Sequence, residues 1–145
     1  MGRILAIDYG MKRTGIAVTD PLQLIATALD TVETGNVVKY LKGYLEREPV
    51  DSFVVGLPKR LNNQDTDMTQ PVRQFVEELG KVFPNLPIAM VDERFTSSIA
   101  KRAMIDGGMK KMDRRVKGNV DKISATLILQ SYLEGPNNKG KSLPL

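Results

Sequence analysis

The sequence predicts an α/β domain in which helices cover both faces of a mixed five-stranded sheet. Its N-terminal part contains apolar runs separated by a glycine-containing turn, which is typical of antiparallel strands. Further along, apolar runs alternate with amphipathic segments of helical period, which indicates β–α–β crossovers. Residues 53–58 are continuously apolar, as expected of a strand that is covered on both faces of a parallel sheet.

The first predicted strand covers residues 4–8 and ends on a carboxylate. The apolar pattern breaks at Gly10 and resumes over residues 16–18, which together predict a hairpin. Gly10 and Gly15 allow a sharp turn and let a phosphate or a metal ion come close to the backbone. Because aspartate disfavours strands, Asp8 either ends an ordinary strand in solvent or has its charge put to use.

The remaining elements follow from periodicity and from proline and glycine breaks. They are, in order, a strand over residues 24–32, a helix opened by residues 34–36 and ended by Pro49, a strand over residues 53–58, a helix from near Pro71 to before Pro84, a strand over residues 87–91, a helix from 96 to about 104, and a last helix capped by Asn119 and continuing to Leu133. We expect one domain over residues 1–134, followed by a flexible polar tail over residues 135–145.

The composition limits the chemistry that is available. The chain has 145 residues, a net charge of +4, no cysteine and no histidine. Disulfides, thiolate or imidazole metal sites, and Ser-His or Cys-His nucleophiles are therefore excluded. If the protein is a hydrolase, carboxylates must carry the reaction, and carboxylates favour Mg²⁺ or Mn²⁺. No signal peptide or membrane-spanning run is visible, so we expect a cytoplasmic protein with no membrane partner.

Three carboxylates are candidates for such a site. Asp8 ends the first strand, Glu93 follows the last strand, and Asp121 falls in the first turn of the predicted last helix. The plainer interpretation is a solvated strand end for Asp92 and Glu93 and a favourable helix dipole for Asp121. Function in such sheets collects beyond the carboxyl ends of the parallel strands, so we predict that the three side chains converge there. Two divalent ions held there would allow hydrolysis of a phosphodiester without a covalent nucleophile.

Basic residues flank these carboxylates and predict contacts with a nucleic-acid backbone. For any single lysine, a solvated, mobile loop is the better interpretation, and the placement of basic residues on both flanks of the carboxylates favours binding. Tyr9 could stack on a base, although packing within the protein is the better interpretation. The predicted substrate-binding residues are Lys12, Arg13, Arg94, Lys110, Lys111, Arg114, Arg115 and Lys117.

Four motifs resemble the YqgF/RuvX family, whose members are described as Holliday junction resolvase-like proteins and as pre-16S rRNA nucleases. The motifs are Asp8-Tyr9-Gly10 with Lys12-Arg13-Thr14-Gly15, residues 55–58, residues 91–97, and residues 117–121 leading into 128–130. The resemblance implies a ribonuclease H-like fold, a metal-dependent endonuclease activity, catalytic acidic residues at Asp8, Glu93 and Asp121, and Mg²⁺ or Mn²⁺ as cofactor. The chain departs from the family pattern at Asn63, near which the family often has glycine, and mildly at Ser97 and Ser124, where threonine and alanine are common; none of these is a proposed metal ligand.

Two other functions remain open from sequence. The pairing of Asp8-Tyr9-Gly10 with Thr14-Gly15 also resembles the phosphate-binding turn of actin-like and sugar-kinase ATPases, but that machinery needs two lobes. A non-catalytic RNA-binding or transcription factor with the same fold is the second alternative. The sequence leaves open whether RNA or a DNA junction is the substrate, and whether the protein is a monomer or a homodimer.

Overall fold

The structure is a computed structural model that describes residues 2–58, 64–92 and 117–134, with side chains of the last range described from residue 123. Five strands form one sheet in the order β3-β2-β1-β4-β5, as the sequence predicts, and within the described ranges three of the four predicted helices are present. The strands are β1 Arg3–Asp8, β2 Arg13–Thr19, β3 Ala26–Glu33, β4 Val50–Leu57 and β5 Ile88–Asp92. The helices are α1 Val37–Arg47, α2 Thr69–Val82 and α3 Lys117–Glu134, and a single 3₁₀ turn, Thr34–Asn36, leads into α1.

The directions of the strands determine which strand ends lie at the same edge of the sheet. Strand β2 is antiparallel to β1 and β3, while β4 is parallel to both β1 and β5. The carboxyl ends of β1, β3, β4 and β5 therefore lie at one edge of the sheet, which we call the carboxyl edge. This edge carries Asp8, Glu33, Leu57 and Asp92. Asp8 is central because β1 is the middle strand.

The two faces of the sheet have separate cores because side chains alternate along each strand. Leu5 and Ile7 of β1 pack with α1 and α2 on one face. Ile4 and Ala6 pack on the other face against α3 residues that include Ile128. The apolar part of β4 contributes to both cores in the same way, since Phe53 and Val55 lie in the first core and Val54 in the second. The prediction of helices on both faces is confirmed.

The start of β3 differs from the prediction. It begins at Ala26 rather than at residue 24, because the Asp20 carboxylate accepts hydrogen bonds from the backbone N–H groups of Leu22, Leu24 and Ile25 at 2.8–3.2 Å. These bonds lower the pKa of Asp20 and hold the segment before Ala26 in a turn.

Other boundaries shift by one to three residues. Strand β4 begins at Val50, which pairs with Arg3, so the polar residues before Phe53 extend the strand. Helix α3 begins at Lys117, so Asn119 lies inside the helix and is not its cap. Asp121 consequently falls in the second turn of α3, not the first. The predicted helix over residues 96–104 and the tail over 135–145 lie outside the described residues. In the part of the chain that is described, no helix has the length and apolarity needed to cross a membrane.

Candidate active site

Asp8 occupies a gap in the side-chain layer at the carboxyl edge. It is the last residue of β1, and its alternation with Ile4 and Ala6 places it on the α3 face. Its partner on β2 is Gly15. On the other side Ile7 pairs with Val55, so Gly56 lies beside Asp8. Neither glycine adds a side chain beside the carboxylate, and glycine lets an ion or a phosphate oxygen approach the backbone.

A tight turn over residues 9–13, which we call the basic turn, follows Asp8 and carries Lys12 and Arg13. Both of these side chains are exposed. A Cβ at Gly10 would collide with the carbonyl oxygen of Arg13, so only glycine fits this path. The structure therefore places two of the predicted phosphate-binding residues within five positions of Asp8, at the same edge.

Thr34 ties the basic turn to the end of β3. Its hydroxyl donates a hydrogen bond to the carbonyl oxygen of Gly10 at 2.5 Å, and its backbone N–H donates to the carbonyl oxygen of Lys12 at 3.0 Å. A contact of 2.9 Å joins the hydroxyls of Thr34 and Thr14. Sequence reasoning assigned Thr34 only to the opening of a helix. It missed this role because the partners lie 20 to 24 positions away, and no local pattern signals them.

Tyr9 packs within the protein, as the sequence interpretation favoured. Its ring stacks on Phe75 of α2, with ring centroids 4.4 Å apart and planes inclined by 23°. Phe75 is almost fully buried in the core on the α1 and α2 face. The residue after Asp8 is therefore anchored to the opposite face from Asp8 itself, which fixes the chain on both sides of the sheet.

The end of β4 is anchored by Thr69, which sequence reasoning also missed. The buried Thr69 hydroxyl donates to the carbonyl oxygen of Pro58 at 2.7 Å and accepts from the backbone N–H of Thr66 at 2.8 Å. The start of α2 is thereby attached to the strand that neighbours Asp8. A threonine two residues before Pro71 fits a helix start, but nothing local indicates the bond to Pro58.

Asp92 lies on the opposite face from Asp8. Ile88 packs in the core on the α1 and α2 face. Asp92 lies four positions further along β5, whose pairing with β4 has no irregularity, so its side chain lies on that same face. Its partner Leu57 packs on that same core. Val91, by contrast, packs on the α3 face. The sequence left open whether Asp92 belongs to the site, and the register separates it from Asp8.

The other predicted site residues are less completely described. Glu93, Arg94, Lys110, Lys111, Arg114 and Arg115 lie outside the described residues. Asp121 and Lys117 lie on the α3 backbone, but their side chains are not described. Asp121 precedes Ala125 by four residues, about one helical turn, and Ala125 is fully buried against the sheet. Within residues 2–58, 64–92 and 123–134, no three acidic side chains group closely enough to hold a metal ion.

A five-stranded mixed sheet of this order defines a ribonuclease H-like domain, and comparison with solved structures confirms it. RuvC from Thermus thermophilus aligns over 90% of this chain and 94% of its own, with a TM-score of 0.52 and 14% identity. The structure titled "T. thermophilus RuvC in complex with Holliday junction substrate" aligns over 91% and 94%, again with a TM-score of 0.52 and at 16% identity. At these identities the likeness establishes the fold.

The chain belongs to the RuvX family, whose model is described as a Holliday junction resolvase and matches residues 2–135. A relative from Parabacteroides distasonis is 57% identical over 92% of this chain and 96% of its own length. A relative from Porphyromonas gingivalis is 52% identical over 94% and 99% of the two chains. Both relatives carry the name "Putative pre-16S rRNA nuclease".

Proposed function

We propose that this protein is a metal-dependent endonuclease that hydrolyses nucleic-acid phosphodiesters and acts in the cytoplasm on the 5′ end of precursor 16S rRNA. The observation that carries the proposal is Asp8, a carboxylate at the carboxyl end of the central strand with a glycine on each flank. The names of the relatives, at 52–57% identity over nearly the whole chain, support the reaction and the RNA.

Asp8, Glu93 and Asp121 are the proposed metal ligands. Their oxygens suit Mg²⁺ or Mn²⁺, and a chain without histidine or cysteine offers no softer side-chain ligands of these kinds. The described geometry is compatible with this use, because the strand positions beside Asp8 are the glycines Gly15 and Gly56. When bound, a pair of divalent ions would activate water and stabilise the leaving oxygen of the phosphodiester.

The described residues of the chain contribute binding and orientation. Lys12 and Arg13 project from the basic turn beside Asp8, where they would neutralise the phosphates on either side of the bond to be cut. The predicted basic residues Arg94, Lys110, Lys111, Arg114, Arg115 and Lys117 would extend the same surface. Such contacts carry no base code, so we expect binding that weakens steeply with salt and depends on the shape of the nucleic acid.

A DNA four-way junction is the second candidate substrate, because the family model is described as a Holliday junction resolvase. Cutting opposite strands of a junction symmetrically requires two active sites related by a two-fold axis. Trimming an RNA requires only one site. The two substrates therefore require different assemblies of the protein, and formation of a homodimer on the junction would favour the DNA junction as the substrate.

A cleavage assay tests the proposal. Precursor 16S rRNA and a four-way DNA junction are incubated with Mg²⁺ or Mn²⁺ and with wild-type protein, Asp8→Asn or Asp92→Asn. We expect Asp8→Asn to bind the RNA but to cut it about 100-fold more slowly or worse, because a neutral amide is a poor ligand for hard cations. Asp92→Asn is the matched control, since it makes the same chemical change on the opposite face of the sheet, and it should retain wild-type cleavage.

The alternatives predict different results. Cleavage of the junction alone would assign the protein to DNA, and equal binding without cleavage by any variant would indicate a non-catalytic RNA-binding factor. Turnover of ATP in the absence of nucleic acid would indicate the kinase-like function. Wild-type activity in Asp8→Asn would refute the site itself.

A further inference from the structure

We propose that Thr34 is a positioning residue that holds the basic turn, and with it Lys12 and Arg13, in the place where a nucleic-acid phosphate binds beside Asp8. The identity of that ligand rests on the proposed nuclease function. The geometry rests on hydrogen bonds between described residues. Thr34 itself would touch neither the substrate nor a metal ion, and it would act through the backbone of the turn.

One residue restrains two backbone carbonyls of the turn. The Thr34 hydroxyl donates to Gly10 and the Thr34 N–H donates to Lys12, at 2.5 and 3.0 Å. The two carbonyls lie on either side of Met11, whose side chain is 69% exposed and provides little packing. The turn therefore depends on these hydrogen bonds, rather than on buried apolar contacts at its tip, for its position at the carboxyl edge.

The hydroxyl bonds have a fixed direction. A threonine hydroxyl has a single proton, and that of Thr34 is given to the Gly10 carbonyl. In the 2.9 Å contact between the two hydroxyls, Thr14 must therefore be the donor and Thr34 the acceptor. Thr14 is fully buried in β2. A chain of hydrogen bonds thus runs from the rigid interior of the sheet, through Thr34, to the backbone of the basic turn.

The charged residues around the basic turn make its position important for phosphate binding. Arg13 is the direct partner of Glu33 in the pairing of β2 with β3, so an acidic side chain lies opposite one of the two basic ones. The attraction between the turn and a phosphate depends on how the cationic groups are placed relative to that carboxylate and to Asp8. A turn that moves weakens phosphate binding even though no charge has been removed.

Substitution of the Thr34 hydroxyl separates positioning from charge. Thr34→Val removes the hydroxyl and keeps the branched shape, Thr34→Ser keeps the hydroxyl, and Thr27→Val is a matched control on the exposed, opposite end of β3. Each is made in wild-type and in Asp8→Asn protein, and the Kd for a precursor 16S rRNA fragment is measured by anisotropy in the Asp8→Asn background. We expect Thr34→Val to raise Kd about tenfold, equivalent to about 1.4 kcal/mol, while the serine and Thr27 variants stay within about twofold of their parent.

Kinetics and hydrogen exchange give independent readings. In the cleaving background, Thr34→Val should raise KM with little change in kcat, because the turn binds phosphate but does not take part in bond breaking. Backbone amides of residues 11–13 should exchange faster in Thr34→Val than in wild-type or Thr34→Ser protein, with no change elsewhere in the sheet.

Two kinds of result would overturn the assignment. An unchanged Kd and unchanged exchange in folded Thr34→Val would show that the turn does not need the hydroxyl, and failure of Thr34→Ser to restore binding would show that shape matters instead. A loss of kcat at constant KM would also contradict it. If wild-type protein binds RNA but cuts nothing, the nuclease proposal fails, while the comparison of Kd values still decides the role of Thr34.

Discussion

The stacked pair of Tyr9 and Phe75 permits a quantitative test of how the fold holds the strand that carries Asp8. Tyr9 directly follows Asp8, and its ring lies 4.4 Å from that of Phe75, at 23° to it. Tyr9→Leu and Phe75→Leu each replace an aromatic ring by a smaller apolar group, so each should lower the free energy of unfolding by about 1–2 kcal/mol. Offset stacking adds about 1 kcal/mol beyond the burial of area, so the double variant should lose about that much less than the sum of the two.

Urea denaturation of the four proteins in the cycle measures this coupling, and RNA binding by the same proteins supplies the control. If Tyr9 packs only within the protein, Tyr9→Leu should bind RNA as tightly as wild type once both are folded. A coupling energy near zero would contradict the stacking, and a coupling near zero together with a large rise in Kd would show that Tyr9 stacks on a base.

Two further predictions concern the anchors and the pH dependence of the fold. Thr69→Val leaves the Pro58 carbonyl and the Thr66 N–H without their partner in a partly buried position, so urea denaturation should show a loss of about 1–3 kcal/mol, and Thr69→Ser should lose much less. Burial, followed by the charge of Asp30 and a hydrogen bond to it, raises the pKa of Tyr40 to about 12. In the unfolded chain the Tyr40 hydroxyl ionises near pH 10. The contribution of neutral Tyr40 to stability is therefore complete below about pH 10 and is lost as pH rises towards about 12. Denaturation at about pH 9 and about pH 11 should show this loss, and Tyr40→Phe should reduce it; an equal loss in both proteins would refute the assignment to Tyr40.

The contrast between Asp8 and Asp92 shows how register places two similar residues on opposite faces of the sheet. Both are aspartates at the carboxyl ends of parallel strands, and their local sequences are alike in following an apolar run. They differ by parity within the sheet, which places one on the α3 face and the other on the α1 and α2 face. A shift of one residue in the pairing of β4 with β5 would exchange the faces. The register, and not the residue type, therefore separates the candidate ligand from its neighbour.

Local patterns were sufficient for much of the fold. Periodicity and proline breaks located the two described crossover helices to within two residues, and the continuous apolarity of residues 53–55 correctly indicated a strand covered on both faces. Boundaries were wrong where contacts that periodicity cannot detect shift the start of a strand. The Asp20 carboxylate delays β3, and pairing with Arg3 begins β4 at Val50, before its apolar run. The start of α3 at Lys117 was missed because asparagine is a residue type that commonly caps helices, although Asn119 lies inside this one.

The amino-acid sequence by itself limited the class of chemistry, because a chain without histidine or cysteine has carboxylates as its main side-chain ligands for a metal ion, and it determined the strand on which Asp8 lies. Only the tertiary structure decided that Asp8 lies between two glycines, that Asp92 faces away from it, and that Thr34 and Thr69 hold the turn and the strand end around it. The physical reason is that composition and periodicity report only on interactions between residues close together in the sequence. Strand register and these hydrogen bonds instead join distant residues that come together only when the sheet has formed.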